Sequence, residues 1–190
     1  RSVDLFEVAA AAPSSDAPED LRGPLHGEGD ETVSTPSFPY GSAVCEVEVD
    51  PETGEVEIVR YTSVDDVGRA INPLIVHGQT HGGIAQGVGQ ALCELCDYDP
   101  ESGQLRSATF MEYPMPRADM LPSFTTEISE VESTANPLGL RGGGEGGTTP
   151  ALGAVVNAAV DALAHLGVEH LEMPLTPERV WRAIQSGGVR

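Results

Sequence analysis

The chain contains 190 residues with 30 acidic and 10 basic side chains, giving a formal net charge of −20. Such a negative field disfavours nucleic acid and anionic membrane surfaces as partners. No apolar run of membrane-spanning length and no signal peptide are predicted. The three cysteines, Cys45, Cys93 and Cys96, are too few for a disulfide scaffold. A reducing compartment is therefore expected, with the cytoplasm as the default.

The first 39 residues differ in composition from the rest. Val3 to Ala12 predicts a short helix, and the stretch from Pro13 to Pro39, rich in Pro, Ser, Gly and acidic residues, predicts a long surface loop or linker. We therefore expect residues 1–39 to be an N-terminal helix and linker, and residues 40–190 to form the main domain. Because the first residue is Arg1 rather than Met, a fragment or a processed subunit is expected.

Two similar turns, each with the pattern DP-x-x-G, predict β-hairpins. In the turn from Asp50 to Gly54, Pro fits an early turn position and Gly supplies a positive φ. Alternation of apolar and polar residues on both sides of that turn is typical of half-buried strands. The predicted strands are 43–49 and 56–64 in the first hairpin, 95–98 and 105–111 around the second turn at 99–103, and 124–131.

Helices are predicted where cap residues precede apolar segments. They are 73–95, capped by Asn72; 149–163, ended by Gly167; and a short last helix from 177, capped by Thr176. Hairpins and helices that do not alternate strictly indicate an α+β fold. The first of these helices carries five glycines, at 78, 82, 83, 87 and 89. Each costs up to about 1 kcal/mol relative to Ala in a helix, so we expect another backbone or a ligand to approach this face closely.

The segment from Arg141 to Pro150 places one carboxylate, Glu145, among five glycines directly before the alanine-rich helix. Clustered glycine is costly unless the backbone needs a positive φ or lies close against something. Glu145 either faces a ligand or simply favours the positive end of the following helix in a flexible loop. The segment alone leaves both interpretations open.

Other candidate side chains give weaker signals. Gln79 and Gln86 lie in the glycine-rich helix, and their amides suit the edge of a heterocycle, although either could be an ordinary exposed residue. His77 and His81 have the spacing of metal ligands on a helix but lack the Glu of HExxH, so no metal site is expected. Cys93 and Cys96 fall at a predicted helix C-terminus, where a redox pair would lack the stabilisation of its thiolate.

Several motifs agree in order with one known family. Val64-Asp65-Asp66-Val67-Gly68-Arg69-Ala70-Ile71-Asn72-Pro73 is followed by Gly78-Gln79-Thr80-His81-Gly82-Gly83-Ile84-Ala85-Gln86-Gly87-Val88-Gly89-Gln90-Ala91-Leu92. Asn136-Pro137-Leu138-Gly139 and Gly144-Glu145-Gly146-Gly147-Thr148 then follow. From about Tyr40 to Ile184 the chain resembles the C-terminal part of the molybdenum-binding large subunit of the xanthine dehydrogenase/aldehyde oxidase family. Phe110-Met111-Glu112-Tyr113 and the GEGGT string resemble its carbon monoxide dehydrogenase-like branch most.

The resemblance implies an α+β fold like the C-terminal half of the molybdenum-binding portion of these hydroxylases. It implies molybdopterin with molybdenum as cofactor, as the cytosine dinucleotide in bacteria, with 2Fe-2S and FAD groups on partner subunits or domains. Glu145, of the GEGG motif, would act as general base in oxidative hydroxylation of an electron-poor carbon. Gln86 of the QGxG motif would hydrogen-bond the cofactor. Gln79 and the motif glycines Gly87 and Gly144 would shape the same wall.

The family's large subunit is several times longer than this chain. The resemblance therefore implies that the remaining large-subunit segments, and iron–sulfur and flavin subunits, complete the enzyme. The substrate would be a small molecule (an aldehyde, an N-heterocycle or CO), and a homodimer is compatible with the sequence. By itself the chain is expected to be inactive. The alternative is a catalytically silent, stand-alone binding or assembly module with the same fold.

Overall fold

The computed structural model describes residues 2–14, 16, 18–19, 22–23, 26–30, 32 and 34–187. The chain divides into two compact units, Arg1–Ser34 and Thr35–Arg190. In the first unit, helix α1 (Leu5–Ala11) begins after Asp4, whose carboxylate accepts from the amides of Phe6 and Glu7. The predicted N-terminal helix is thereby confirmed. The predicted linker at 13–39 lies partly outside the described residues.

The second unit contains a three-stranded sheet of β1 (Tyr40–Val49), β2 (Val56–Asp66) and β3 (Thr125–Ile128). Strands β1 and β2 form the predicted antiparallel hairpin, with an irregularity in register between Glu46 and Val47. Strand β3 lies parallel to β2 on its other side and is shorter than the predicted strand. Along β1, residues from Ala43 to Val49 alternate between half-buried and exposed, as their sequence pattern predicted.

The second predicted hairpin is wrong. Around the turn at 99–103 the structure has one isolated antiparallel bridge, between Tyr98 and Leu105, and neither flank forms a strand. The turn itself is present, because Asp99 accepts locally from the backbone and hydroxyl of Ser102. The apolar residues of these flanks do not pack against the core, and Phe110, for example, is 82% exposed. Local turn chemistry therefore formed without the packing that a strand requires.

Three helices cover the inner face of the sheet and its end: α2 (Pro73–Leu92), α3 (Thr148–Leu163) and α4 (Pro177–Ser186). Asn72 and Thr176 cap α2 and α4 with their side-chain oxygens, as predicted. Short 3-10 helices occupy Ala118–Met120 and Ala164–Leu166. After the second of these, Gly167 adopts φ 83°, which ends the helical segment where the sequence predicted. The fold is α+β, as predicted.

The core lies between the sheet and helices α2 and α3. Ile84 and Val88 of α2, Val155 of α3 and Tyr61 of β2 are fully buried there. Tyr61 packs edge-on against Phe124, with ring centroids 5.9 Å apart. Burial of such side chains stabilises the domain by roughly 1.5–3 kcal/mol each relative to exposure. The core thus fixes α2 and α3 side by side above one face of the sheet.

One helical segment within the described residues, Thr148–Leu166, is long and apolar enough to cross a membrane by length and composition alone. The expectation that no apolar run reaches that length was therefore wrong by this measure. Ala151, Val155, Ala159 and Leu163 of α3 are nevertheless buried in the domain core. A core helix can satisfy the same criterion, and these four residues place one face of α3 in the core.

Candidate functional site

Helix α2 and the segment 141–147, called the glycine loop below, are in close backbone contact. A Cβ atom added to Gly83 would lie 2.9 Å from the amide nitrogen of Thr148, and one added to Gly87 would lie 2.7 Å from the Thr148 carbonyl oxygen. On the other side, a Cβ at Gly147 would lie 2.3 Å from the carbonyl oxygen of Thr80. Glycine is therefore required on both sides of the contact. The expected close approach of another backbone is confirmed at Gly83 and Gly87.

Both candidate glutamines reach towards this junction. The Gln79 amide donates from Nε2 to the carbonyl oxygen of Gly144 at 3.1 Å. The hydroxyl of Thr148 donates to Oε1 of Gln86 at 3.4 Å. Each side chain keeps unused hydrogen-bonding capacity, since Oε1 of Gln79 and Nε2 of Gln86 have no partner within the described residues. Gln79, Gln86 and Gly87 of α2 thus lie at one junction with Gly144, which is distant in sequence.

Glu145 lies on the rim of a concavity of about 570 Å³. Its side chain is exposed, and its carbonyl oxygen accepts the amide of Thr149 at 3.1 Å in the first turn of α3. The remaining lining comes from the segment before and at the start of β1, from β2, and from the glycine loop and the start of α3: Ser37, Phe38, Pro39, Tyr40, Gly41, Asp65, Gly142, Gly144, Gly146, Thr149 and Pro150. Glu145 therefore faces a shared concavity.

Asp65 is a second carboxyl group on the wall of that concavity, and it is only 4% exposed. The Ser63 hydroxyl donates to its Oδ2 at 3.0 Å. Burial raises the pKa of Asp65, and the hydrogen bond from Ser63 opposes this in part. No cationic group pairs with Asp65 in the part of the chain that the structure describes. The motif that contains this residue did not by itself indicate a role for it.

The neighbouring residue, Asp66, is paired. Arg141, at the start of the glycine loop, lies 3.4 Å from its Oδ2, and the two side chains are 14% and 12% exposed. The same guanidinium lies 5.0 Å from the centroid of the Tyr40 ring, and its Nε donates to the carbonyl oxygen of Val131. This pair anchors the glycine loop to the end of β2 on the side away from Asp65.

A second concavity, of about 560 Å³, lies on the other side of the glycine loop. Its lining includes Arg69, Gln79, Arg141, Gly143 and Gly144. Both concavities thus share Gly144, whose carbonyl oxygen Gln79 holds. The loop forms a wall between two recesses of similar size.

The weaker sequence candidates do not form a metal centre. His77 Nδ1 and His81 Nε2 both lie within hydrogen-bonding distance of the Thr126 hydroxyl, at 2.8 and 3.0 Å. Among the residues described, no group of three or more His, Cys, Asp or Glu is placed to hold a metal ion. Cys93 and Cys96 are free thiols, and burial raises the pKa of Cys93.

The family described as molybdopterin cofactor-binding domain matches residues 2–122. The chain is 36% identical over 149 residues to the carbon monoxide dehydrogenase large chain of Hydrogenophaga pseudoflava, covering 78% of this chain. It is 42% identical over 151 residues to the nicotine 6-hydroxylase large subunit of Paenarthrobacter nicotinovorans, covering 80%. The chain belongs to the molybdopterin cofactor-binding family. The predicted resemblance to molybdenum-binding large subunits is confirmed.

The solved structures agree. A crystal structure of Cu,Mo-CO dehydrogenase in the carbon monoxide-reduced state matches 95% of this chain, with a TM-score of 0.84 and 30% identity. This confirms the fold expected from the resemblance. The chain spans 18% of the length of each of the two curated relatives and 22% of that crystallised chain. The relatives are large chains or subunits of multi-subunit enzymes.

The sequence motifs did not predict which residues from distant segments line the concavity beside Glu145. Tyr40, Gly41 and Asp65 line the concavity because β1 and β2 pair with Gly41 opposite Asp65. A usable signal existed in β2, where Tyr61, Ser63 and Asp65 alternate with outward residues and all are buried. Because successive side chains of a strand point to opposite faces, these three residues lie in a row on one face, and Asp65 at its end lines the recess.

Proposed function

We propose that this chain is the cofactor-binding C-terminal portion of a molybdenum hydroxylase large subunit. In that assembly it would take part in oxidative hydroxylation at an electron-poor carbon of an aldehyde, an N-heterocycle or CO. The observation that carries the proposal is the junction between α2 and the glycine loop. There Gln79 holds the carbonyl group before Glu145, Gln86 accepts from Thr148 after it, and Gln79 and Gly144 line the second recess.

The residues at the junction fit a pterin. Its heterocycle carries both donors and acceptors at its edge, and the unused Oε1 of Gln79 and Nε2 of Gln86 offer one of each. A Cβ at Gly82 or Gly144 would meet nothing within 4 Å, so the backbone is open to a ligand at both positions. We propose that these residues, with Gly87 setting the helix contact, hold molybdopterin in its cytosine dinucleotide form. When bound, the cofactor would supply the two-electron redox chemistry.

Glu145 is proposed as the general base. Its side chain is free of ion pairs and hydrogen bonds within the described residues, and it projects from a backbone without neighbouring side chains on either side. A base must reach the proton that it removes, and the recess leaves room for the reacting group next to this carboxylate. Gln79 fixes the preceding carbonyl group and so limits where Glu145 can point.

The site is open to solvent on one side, and we propose that other segments of the large subunit complete it. Ile71, just before α2, and Leu74 and Ile75 in its first turn are 64%, 82% and 67% exposed, and Ile71 and Ile75 line the second recess. Such a cluster of exposed apolar side chains marks an interaction surface. We propose that the remaining large-subunit segments cover it, that iron–sulfur (2Fe-2S) and FAD-containing partners accept the electrons, and that the chain alone is inactive. A cytoplasmic location and a homodimeric arrangement of the assembly remain part of this proposal.

The test uses the assembled complex with Glu145→Gln, assayed with an aldehyde, an N-heterocycle and CO against an artificial electron acceptor. Loss of a general base is expected to lower turnover by roughly 10²- to 10⁴-fold. Molybdenum and pterin content should stay at the wild-type level. Glu169→Gln is the matched control, because Glu169 is exposed and makes no hydrogen bond or ion pair within the described structure; its turnover should be unchanged.

Wild-type turnover by Glu145→Gln with normal molybdenum content would refute the base assignment. A wild-type complex that turns over none of the three substrates, or the absence of any partner carrying the remaining segments, would favour the silent binding module. Tight, stoichiometric molybdenum on this chain alone would contradict the inference that it provides only part of the site.

A further inference from the structure

Asp65 is a buried carboxyl group that the proposed mechanism does not use. It is 4% exposed, and its Oδ2 accepts from Ser63. A Cβ atom at Gly41 would lie 2.5 Å from its Oδ1, and one at Gly146 would lie 3.7 Å from the same oxygen. The Oδ1 atom therefore lies between two glycines whose missing side chains leave it open to the recess that Glu145 lines.

We propose that Asp65 is a specificity-determining residue whose neutral carboxyl group donates a hydrogen bond from Oδ1 to a carbonyl oxygen or ring nitrogen of the substrate. This inference rests on the proposed function and names its substrate class. Carbonyl compounds and N-heterocycles carry such an acceptor atom next to the electron-poor carbon. A hydrogen bond to that atom withdraws electron density from the carbon and favours attack on it.

The surroundings favour the neutral form of Asp65. An ionised carboxylate without a cationic partner is costly to bury, and Arg141, near the end of β2, is paired with Asp66 rather than with Asp65. Burial accordingly raises the pKa of Asp65. Because Ser63 already donates to Oδ2, the proton belongs on Oδ1, which faces the recess. A buried carboxyl group in this state is a donor at a pH where an exposed one would be an acceptor.

Two other titratable groups lie near Asp65 on the sheet. Burial raises the pKa of Tyr61, on the same face of β2, to about 12, and that of Cys45, across from it on β1, to about 11. Both therefore stay neutral near neutral pH. The first turn of α3 contributes Thr149 and Pro150, which are uncharged, and the paired residue on β3 is Ile128. Glu145, two residues before the N-cap of α3, Gly147, also lines the recess.

The experiment measures binding by equilibrium dialysis of the assembled complex against two probes of similar shape. Coumarin has a carbonyl acceptor and does not titrate, whereas 1,2-dihydronaphthalene has no acceptor. The measured quantity is the affinity for coumarin relative to that for 1,2-dihydronaphthalene. This ratio is expected to be roughly 2- to 10-fold higher in the wild type than in Asp65→Leu, a variant that keeps the bulk but has no donor. Asp65→Asn keeps a donor and should retain the preference.

The pH dependence separates the proposal from a merely structural role. The wild-type preference should decline as the pH rises and Asp65 loses its proton, whereas that of Asp65→Asn should not change. Glu145→Gln should keep the preference and its pH dependence, so a failed base assignment leaves this result intact. Equal coumarin preference in the wild type and Asp65→Leu, a preference that grows with pH, or no binding of either probe would overturn the proposal.

Discussion

The Gln79 side chain donates to the carbonyl oxygen of Gly144 across 65 positions of sequence, at a distance of 3.1 Å. This bond joins the glycine-rich helix α2 to the loop that carries Glu145. The backbone contact behind it, between Gly83 and Thr148, sets how closely the two elements approach. The position of the proposed base thus depends on one side-chain amide and on a helix face without side chains.

Replacing Gln79 by Leu should loosen the glycine loop without unfolding the domain. One hydrogen bond contributes about 1 kcal/mol net, so local opening should become roughly fivefold more frequent. Hydrogen exchange followed by mass spectrometry should show faster exchange at the amides of 142–147. Gln90→Leu is the control, since Gln90 is exposed on the same helix and its side chain makes no hydrogen bond within the described residues. Equal exchange in both variants would contradict the anchoring role of Gln79.

The helix glycines should separate into two classes. Ala at Gly87 would place its Cβ 2.7 Å from both a carbonyl oxygen and the Ala151 side chain, so Gly87→Ala should destabilise the fold by roughly 1–3 kcal/mol. A Cβ at Gly82 meets nothing within 4 Å. Gly82→Ala should therefore stabilise the fold by up to about 1 kcal/mol, through helix propensity. Urea unfolding measures both, and the same sign for the two variants would contradict the contact at Gly87.

The sequence predicted the elements better than the site. Caps at Asn72 and Thr176 and the turn at Asp50–Gly54 depend on short-range chemistry, and all three formed. Glycine spacing predicted a close approach to α2 but could not tell Gly83, which meets a backbone, from Gly82, which does not. That distinction depends on which face α3 covers.

Long-range packing also explains the two largest differences between the sequence-based predictions and the structure. The second hairpin failed because turn residues alone cannot supply a core for strands around Tyr98 and Leu105. The wall at Asp65 was missed because it needs the pairing of β1 with β2, which places Gly41 opposite this residue. Neither fact is encoded in the spacing of motifs along the chain.

The buried pair of Arg141 and Asp66 should contribute more to stability than an exposed pair. Arg141→Met leaves the carboxylate of Asp66, which is 12% exposed, without its cation, and also removes the contact with Tyr40. We expect a loss of about 3 kcal/mol. Arg60→Met breaks an ion pair with Glu46 whose side chains are 63% and 51% exposed, and should cost about 1 kcal/mol or less. Similar losses in urea unfolding would show that burial of the first pair does not matter.

Tyr61 should make the fold sensitive to alkali. Its ring is fully buried, and its hydroxyl has no hydrogen-bond partner among the described residues. Burial, then the nearby Cys45 and Asp65, raise the pKa of Tyr61 from 10 to about 12. The folded state favours the neutral phenol, so the raised pKa contributes to the free energy of unfolding, and this contribution is fully present below pH 10. As the pH rises to about 12, the free energy of unfolding should fall by about 2–3 kcal/mol.

The matched variant is Tyr61→Phe, which keeps the ring and its edge-on contact with Phe124 but removes the hydroxyl. Without an unpaired buried hydroxyl, it should be as stable as the wild type at pH 7, or more stable by about 1 kcal/mol. Urea unfolding at several pH values should show a shallower decline in its free energy of unfolding above pH 10 than in the wild type. A parallel decline in the two proteins would assign the alkaline transition to another group, of which Cys45, with its pKa raised to about 11, is the next to test.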